Sequence, residues 1–122
     1  MSRGRLLLVD DDEDIRAIAR MSLERVGGWE VGAVGSADEA EAAARDAPPD
    51  AVLHDVMMPD VDGPATLERL RPLIGGAPAI FLTAKTQRAD LERLKRLGAA
   101  GVIAKPFDPM RLPGEVAALL GG

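Results

Sequence analysis

Five short apolar runs recur along this chain, and a segment with helical periodicity follows each of them. The runs are mostly continuous rather than alternating, which is typical of parallel strands covered on both faces. The second run is more polar and contains Gly32, which favours a position at the edge of the sheet. Strands that alternate with helices predict a parallel sheet with right-handed crossovers, and hence a three-layer α/β domain. The predicted strands are residues 6–9, 29–34, 51–53, 79–82 and 101–104.

The size and composition of the chain fit one globular domain, which we expect to span residues 1–122. The 122 residues are 47% hydrophobic and 29% charged, and no apolar run is long enough to cross a membrane. A net charge of -5 and a scarcity of aromatic residues argue against nucleic-acid binding. The absence of cysteine fits a cytoplasmic protein. We therefore expect a monomer or weak dimer with neither a nucleic-acid nor a membrane partner.

Apolar stripes and proline positions predict the buried faces and the ends of the helices. Pro72 should stop the third helix, and Pro113-Gly114 should bend or delay the last one. The predicted buried stripes are Ile15, Ile18, Ala19, Ser22 and Val26 in the first helix, and Leu91, Leu94 and Leu97 in the fourth.

Polar residues follow four of the five predicted strands. Asp10 and Asp11 end the first strand, Asp55 the third, Thr83 the fourth and Lys105 the fifth. The carboxyl ends of parallel strands share one edge of the sheet, where ligands bind in open α/β folds. Polar loops would explain one or two such residues, but hardly three acids, a hydroxyl and a lysine together. We therefore expect these side chains to converge in one functional site.

The residue types at this edge predict the chemistry of phosphoryl groups. Three carboxylates repel one another unless a cation sits among them, and an all-oxygen ligand set suits a hard ion, best Mg²⁺. Thr83 offers a hydroxyl and Lys105 a compact positive charge, which are the groups that stabilise a phosphoryl group. One of the carboxylates could then act as the nucleophile and form an aspartyl phosphate.

In its motifs and their order the chain resembles the CheY-like receiver domains of two-component response regulators. The matching segments are LLLVDDD (6–12), HDVMMPDVDG (54–63), FLTAK (81–85) and AKPF (104–107). The resemblance runs from end to end and implies a flavodoxin-like (βα)5 fold with strand order 2-1-3-4-5. It also implies a cis bond between Lys105 and Pro106.

The resemblance implies a role for each residue of the site. Asp55 would be the phospho-acceptor and Asp11 a direct Mg²⁺ ligand, Asp10 would hold a metal-bound water, and the backbone carbonyl of Met57 would complete the protein ligands. Thr83 and Lys105 would contact the phosphoryl group. Asp12, Asp60 and Asp62 match no metal role, and we interpret them as helix-start and turn residues.

The implied phosphoryl donor is a histidine kinase or a histidine phosphotransfer protein. We expect a single-domain regulator that binds an unknown downstream target or passes the phosphoryl group on, and not a turnover enzyme. Val102 stands where many receivers carry Tyr or Phe, so an aromatic-gated switch is not expected.

Two other functional classes use related folds. A phosphatase or phosphotransferase of the haloacid dehalogenase type also uses a strand-end Asp and Mg²⁺, but it usually has a second Asp two positions later, where this chain has Met57. A flavin-binding module would need a Ser/Thr/Gly-rich phosphate loop after the first strand, where this chain has three aspartates. The receiver hypothesis is therefore favoured.

Three residues near the site invite separate predictions. Met57 and Lys85 flank the phosphoryl position, and neither can act as a general base toward water, so we predict slow loss of the phosphoryl group. His54 adjoins Asp55, but strand alternation sends neighbouring side chains to opposite faces, so we predict a packing role for it.

Overall fold

The computed structural model describes residues 4–57, 63–84 and 87–121, which form one five-stranded parallel sheet with helices on both faces. The order of the strands is β2-β1-β3-β4-β5, which confirms the flavodoxin-like topology and places β2 at an edge. The strands are β1 (Arg5–Val9), β2 (Glu30–Val34), β3 (Ala51–Asp55), β4 (Ala79–Thr83) and β5 (Gly101–Ala104). The helices are α1 (Glu13–Arg25), α2 (Ala37–Asp46), α3 (Gly63–Ile74), α4 (Arg88–Arg96) and α5 (Leu112–Leu119).

The continuous apolar strands are buried because each face of the sheet has its own core. In β1, Leu6 and Leu8 face a cluster that α1 and α5 cover, while Leu7 and Val9 face a second cluster under α2, α3 and α4. This alternation along one strand requires an apolar residue at every position. The two cores account for the three-layer architecture. Within the part of the chain that the structure describes, no helix is long and apolar enough to span a membrane.

Helix α1 buries a narrower face than the apolar stripe predicted. Ala19 and Ser22 are buried as expected, and Leu23 joins them, but Ile18 and Val26 are 48% and 55% exposed. Ile18 lies at the margin of the face that Ala19 and Leu23 define, and Val26 is the C-cap residue, beyond the last turn that packs on the sheet. The prediction was wrong for these two residues.

Helix α4 has a single buried residue, Leu94, although the sequence predicted a buried stripe of three leucines. Leu91 is only partly buried, and Leu97 is 38% exposed because it is the C-cap residue of this short helix. The stripe prediction was therefore right for Leu94 and wrong for Leu97.

Proline acts differently in the third and fifth helices. Helix α3 continues through Pro72 to Ile74, so the prediction that Pro72 stops it was wrong; only two residues follow the proline, and Ile74 is buried. Helix α5 begins late, as predicted. Pro113 lies in its first turn, where a backbone N–H would have no partner within the helix, so proline loses no helical hydrogen bond there. A turn precedes it, in which the amides of Arg111 and Leu112 both donate to the Asp108 carbonyl.

Candidate phosphoryl and metal site

The first strand delivers two aspartates with different environments to the edge of the sheet. Asp10 is fully buried, and its Oδ1 accepts a hydrogen bond of 3.0 Å from the Asp12 amide, whereas Asp11 is exposed. Asp12 is the N-cap of α1, since its carboxylate accepts from the amides of Asp14 and Ile15 at 3.0 and 3.2 Å. The helix-start role predicted for Asp12 is thus confirmed, while Asp60 and Asp62 lie outside the described residues.

Lys105 brings the acids of two neighbouring strands together. Its Nζ lies 2.9 Å from Asp10 Oδ2 and 3.2 Å from Asp55 Oδ1. Its amide donates to the Thr83 carbonyl at 2.8 Å, which fixes the start of the loop after β5, and the bond to Pro106 is cis as expected. A residue distant in sequence therefore supplies the positive charge between the two carboxylates.

The electrostatics of this cluster oppose full ionisation of Asp55. Burial and the nearby Asp10 charge raise the pKa of Asp55, and the attraction of Lys105 only partly offsets them. Burial by itself would lower the pKa of Lys105, but its hydrogen bond to Asp10 and the charges of both acids raise it overall. Lys105 thus stays charged, while Asp55 carries its negative charge at a free-energy cost that a further cation would reduce.

Three carboxylates at this edge fit a metal ion. Asp10, Asp11 and Asp55 each offer one oxygen, and these oxygens lie within 4.8 Å of one another. Oxygen ligands around a small space suit a hard divalent cation such as Mg²⁺, which retains waters that a phosphate can replace. The donor set therefore matches the ion that the sequence predicted.

Thr83 ends β4 and lies beside this cluster. It pairs in register with Ala104, the residue before Lys105, and is 1% exposed. A cavity of about 60 Å³ adjoins Thr83, and its lining includes Asp90 and Arg93 of α4. These two helix residues were not predicted as neighbours of the site, because helical periodicity marks only the apolar side of α4.

The residues next to Asp55 differ in orientation. Met57 donates its amide to Asp55 Oδ1 at 3.4 Å, while its side chain is 59% exposed. His54 is fully buried, and its ring meets Phe81 edge-on at 6.2 Å, which confirms its packing role. Lys85 lies outside the described residues.

Gly63 allows the start of α3 to approach the end of β3 closely. Its amide donates to the Val56 carbonyl at 2.8 Å. A Cβ on Gly63 would lie 2.7 Å from the Asp55 carbonyl oxygen and 2.9 Å from the Val56 Cα, closer than real Cβ contacts. Glycine is therefore required for this approach between helix and strand.

Arg16 is a contact of the site that the sequence analysis missed. Its Nη1 donates to the Asp10 carbonyl at 2.9 Å. Because the partner is a backbone atom, no acid at a matching position in the sequence could have signalled the contact.

Comparisons with known proteins place these residues in a family. Residues 6–117 match the model described as the response regulator receiver domain. The alkaline phosphatase synthesis transcriptional regulatory protein PhoP of Bacillus subtilis is 34% identical over 95% of this chain and 48% of its own length. The DNA-binding response regulator MtrA of Mycolicibacterium paratuberculosis is 36% identical over 97% of this chain and 52% of its own. This chain thus spans about half the length of those two curated relatives.

A similar likeness holds for solved structures. The chemotaxis protein CheY4 of Vibrio cholerae superposes with a TM-score of 0.87 at 30% identity, and the alignment covers 95% of this chain and 98% of that one. A putative response regulator from Chloroflexus aurantiacus gives a TM-score of 0.84 at 33% identity, with 98% of each chain covered.

Proposed function

The chain belongs to the response regulator receiver domains, which serve as phospho-acceptors in signalling, and we propose that Asp55 is the residue that accepts the phosphoryl group. The observation that carries this proposal is the position of Asp55 at a strand end, 3.2 Å from the Lys105 ammonium and grouped with two further carboxylates. We propose residues 1–122 as a single receiver domain.

Asp10, Asp11 and Asp55 would hold Mg²⁺ together with the backbone carbonyl of Met57. The exposed Asp11 would be a direct ligand, and the buried Asp10 would act through a bound water. Mg²⁺ supplies neutralisation of the charge that collects on phosphoryl oxygens. The spacing of the three carboxylates and the raised pKa of Asp55, which burial and Asp10 cause, support this set.

The transfer itself would need little from the protein except position and charge. An Asp55 carboxylate oxygen attacks the phosphorus of a phosphohistidine, the P–N bond breaks, and its electron pair remains on the imidazole, which takes up a proton. Lys105 would then turn from its acid partners to an oxygen of the phosphoryl group, and the Thr83 hydroxyl would donate to another. The buried position of Thr83 next to the residue that precedes Lys105 supports this division of roles.

The phosphoryl donor would be a histidine kinase or a histidine phosphotransfer protein, and the output a changed surface for a downstream protein or onward transfer of the group. PhoP and MtrA are named as transcriptional and DNA-binding regulators. For this chain, with its net charge of -5, we propose a protein partner rather than nucleic acid, and action as a monomer or weak dimer.

The chain would act as a switch and not as a turnover enzyme. The residue two positions after Asp55 is Met57, which cannot protonate a leaving group, so the haloacid dehalogenase type of phosphatase is not favoured. Because neither Met57 nor Lys85 can act as a general base toward water, these two residues would tune the lifetime of the phosphoryl group toward slow hydrolysis. Loss of label from wild type should be slower than from the double variant Met57→Asn, Lys85→Glu, and equal rates would contradict the tuning role.

The acceptor assignment is tested by mass spectrometry of the intact protein after incubation with acetyl phosphate and Mg²⁺. We expect one added phosphoryl group on wild type and none on Asp55→Asn. Asp46→Asn, an exposed acid at the end of α2, is the matched control and should be labelled like wild type. Labelling of Asp55→Asn at the wild-type level would overturn the assignment.

A further inference from the structure

Three contacts hold Asp10, and one of them, at its carbonyl, lies on the peptide bond to Asp11. The Asp10 amide donates to the Val34 carbonyl at 3.1 Å, and its carboxylate binds Lys105. Its carbonyl accepts from Arg16 Nη1 at 2.9 Å. Because the peptide unit is planar, fixing the Asp10 carbonyl also fixes the direction in which the chain enters Asp11.

Asp11 has little else to hold it. Its side chain is exposed, and among the described residues no hydrogen bond or ion pair is found for its carboxylate. The contrast with the buried Asp10 means that the position of the Asp11 carboxylate depends on the backbone that carries it. Two side chains restrain this backbone: Arg16 holds the Asp10 carbonyl on one side of Asp11, and the Asp10 carboxylate accepts from the Asp12 amide on the other.

Gly35, after the edge strand β2, makes room for this guanidinium. A Cβ on Gly35 would lie 2.6 Å from Arg16 Nη1 and 3.4 Å from its Cζ, with the Asp10 carbonyl oxygen at 3.8 Å. Gly35 is not among the glycines with a positive φ, so its backbone does not itself require glycine. A Cβ here would force the flexible end of Arg16 to shift away from its present place beside the Asp10 carbonyl.

We propose that Arg16 is a positioning residue of the metal site, which holds the Asp10–Asp11 peptide so that the Asp11 carboxylate points toward the cation. Gly35 contributes to this positioning because it leaves space for the Arg16 guanidinium. The inference rests on the proposed Mg²⁺ function. Outer contacts that orient ligands typically change metal affinity by about 10- to 100-fold when they are removed.

The planar guanidinium explains why lysine should not substitute. Arginine is longer and projects its donors in a rigid fork, whereas the lysine ammonium is a strongly hydrated point charge. Arg16→Lys should therefore bind Mg²⁺ more weakly than wild type while preserving the charge. A purely electrostatic role for Arg16 would predict unchanged Mg²⁺ binding in Arg16→Lys and tighter binding in Arg16→Ala, since a cation near the metal opposes its binding.

The experiment measures Mg²⁺ affinity from the metal dependence of thermal unfolding, together with amide hydrogen exchange of residues 11 and 12 in the metal-free protein. Arg16→Ala and Gly35→Ala should each weaken Mg²⁺ binding by about tenfold or more and speed exchange at these amides. Arg20→Ala is the matched control, because Arg20 lies one turn further along α1 and pairs with Glu24 on the same helix. It should leave both measurements unchanged.

The double variant decides whether the two residues act through one contact. When Arg16 is already alanine, Gly35→Ala should have no further effect, because the atom that its Cβ would meet is gone. Full additivity of the two changes would overturn the proposal, as would wild-type affinity and exchange in Arg16→Ala. A wild-type protein whose unfolding does not respond to Mg²⁺ would instead overturn the proposed metal site, and the inference with it.

Discussion

Two clusters in this molecule have the same composition, one cation between two carboxylates, yet they behave in opposite ways. At the edge of the sheet, Lys105 lies between Asp10 and Asp55, at 2.9 and 3.2 Å. On the helical face, Arg69 of α3 reaches Asp38 and Glu41 of α2, at 2.7 and 2.9 Å. We call these the strand-end cluster and the helix clamp.

The pKa values of the acids show the difference. Burial and the charge of Asp10 raise the pKa of Asp55, so the strand-end cluster opposes its own ionisation. The hydrogen bond from Arg69 lowers the pKa of Glu41, and the bonds to Glu41 and Asp38 raise that of Arg69. The charges of the helix clamp therefore stabilise one another, whereas binding of a further cation would lower the free energy of the strand-end cluster. The two clusters contain the same number of charges, so the opposite pKa shifts of Asp55 and Glu41 come from differences in burial and in the effect of the neighbouring like charge.

Replacing the basic residue of each cluster should give the largest difference between them in the free energy of unfolding. Lys105→Met leaves two acids buried without their partner, and we expect a loss of about 3 kcal/mol in the free energy of unfolding at neutral pH. Arg69→Met should lose much less, since the side chains of Arg69 and Glu41 are only partly buried and Asp38 is exposed, so that solvent can replace most of the lost contacts. Urea denaturation of both variants without metal gives the comparison. Equal losses would mean that the two clusters do not differ in this way.

Magnesium should distinguish the clusters next. At 100 times its dissociation constant, a ligand of the native state stabilises it by about 2.7 kcal/mol. Asp11→Asn should lose most of this gain without destabilising the metal-free protein, because it also removes a repelling charge. Asp38→Asn, in the helix clamp, should retain the full shift. Melting curves with and without Mg²⁺ test both variants, and an unchanged shift in Asp11→Asn would contradict the metal assignment.

Asp55 and Glu41, whose pKa values shift in opposite directions, should respond to pH with opposite signs. Asp55 has a raised pKa in the folded state, so its ionised form reduces stability, and the penalty disappears as pH falls below its unfolded value. Asp55→Asn should therefore stabilise the metal-free protein at neutral pH, and the gain should vanish in acid.

Glu41 has a lowered folded pKa, so its contribution is present above the unfolded value and is lost as pH falls through the folded one. Glu41→Gln should therefore destabilise the protein slightly at neutral pH and have no effect in acid. Denaturation at a series of pH values checks both variants. If Asp55→Asn and Glu41→Gln change the stability at neutral pH in the same direction, the contrast between the two clusters is wrong.

Added salt should reveal the smallest difference between the two clusters, in how far it changes the stability lost by each variant. The Debye length falls from about 10 Å at 0.1 M to about 3 Å at 1 M, so exposed charges are screened and buried ones much less so. The small loss in Arg69→Met should shrink further at high salt, whereas the loss in Lys105→Met should persist. The same urea titrations, repeated at the two salt concentrations, provide the measurement.

The strand-end cluster could be predicted because short, local sequence patterns mark the ends of the strands that carry it. Asp10 directly follows a continuous apolar run and Asp55 lies two residues beyond another, and parallel strands bring such ends together whatever lies between them. The contact of Arg16 could not be predicted this way, since it joins a helix side chain to a backbone carbonyl.

The errors in the helices have a related cause. Val26 and Leu97 continue apolar stripes, but both are C-cap residues, and a periodic pattern does not show where its helix leaves the sheet. Pro72 was given too much weight, because so close to the end of α3 the helical bond that it cannot donate matters less than the burial of Ile74.

The closure between Val56 and Gly63 has a consequence for how such a domain can diversify. The hydrogen bond of 2.8 Å joins the start of α3 to the residue that follows β3, and Gly63 approaches the Asp55 carbonyl and the Val56 Cα more closely than a Cβ allows. A side chain at position 63 would have to displace backbone atoms rather than the flexible end of another side chain, so the substitution cannot be absorbed locally. Sequence changes are therefore tolerated more easily on the exposed face of α3 than at its first residue, where the helix meets β3.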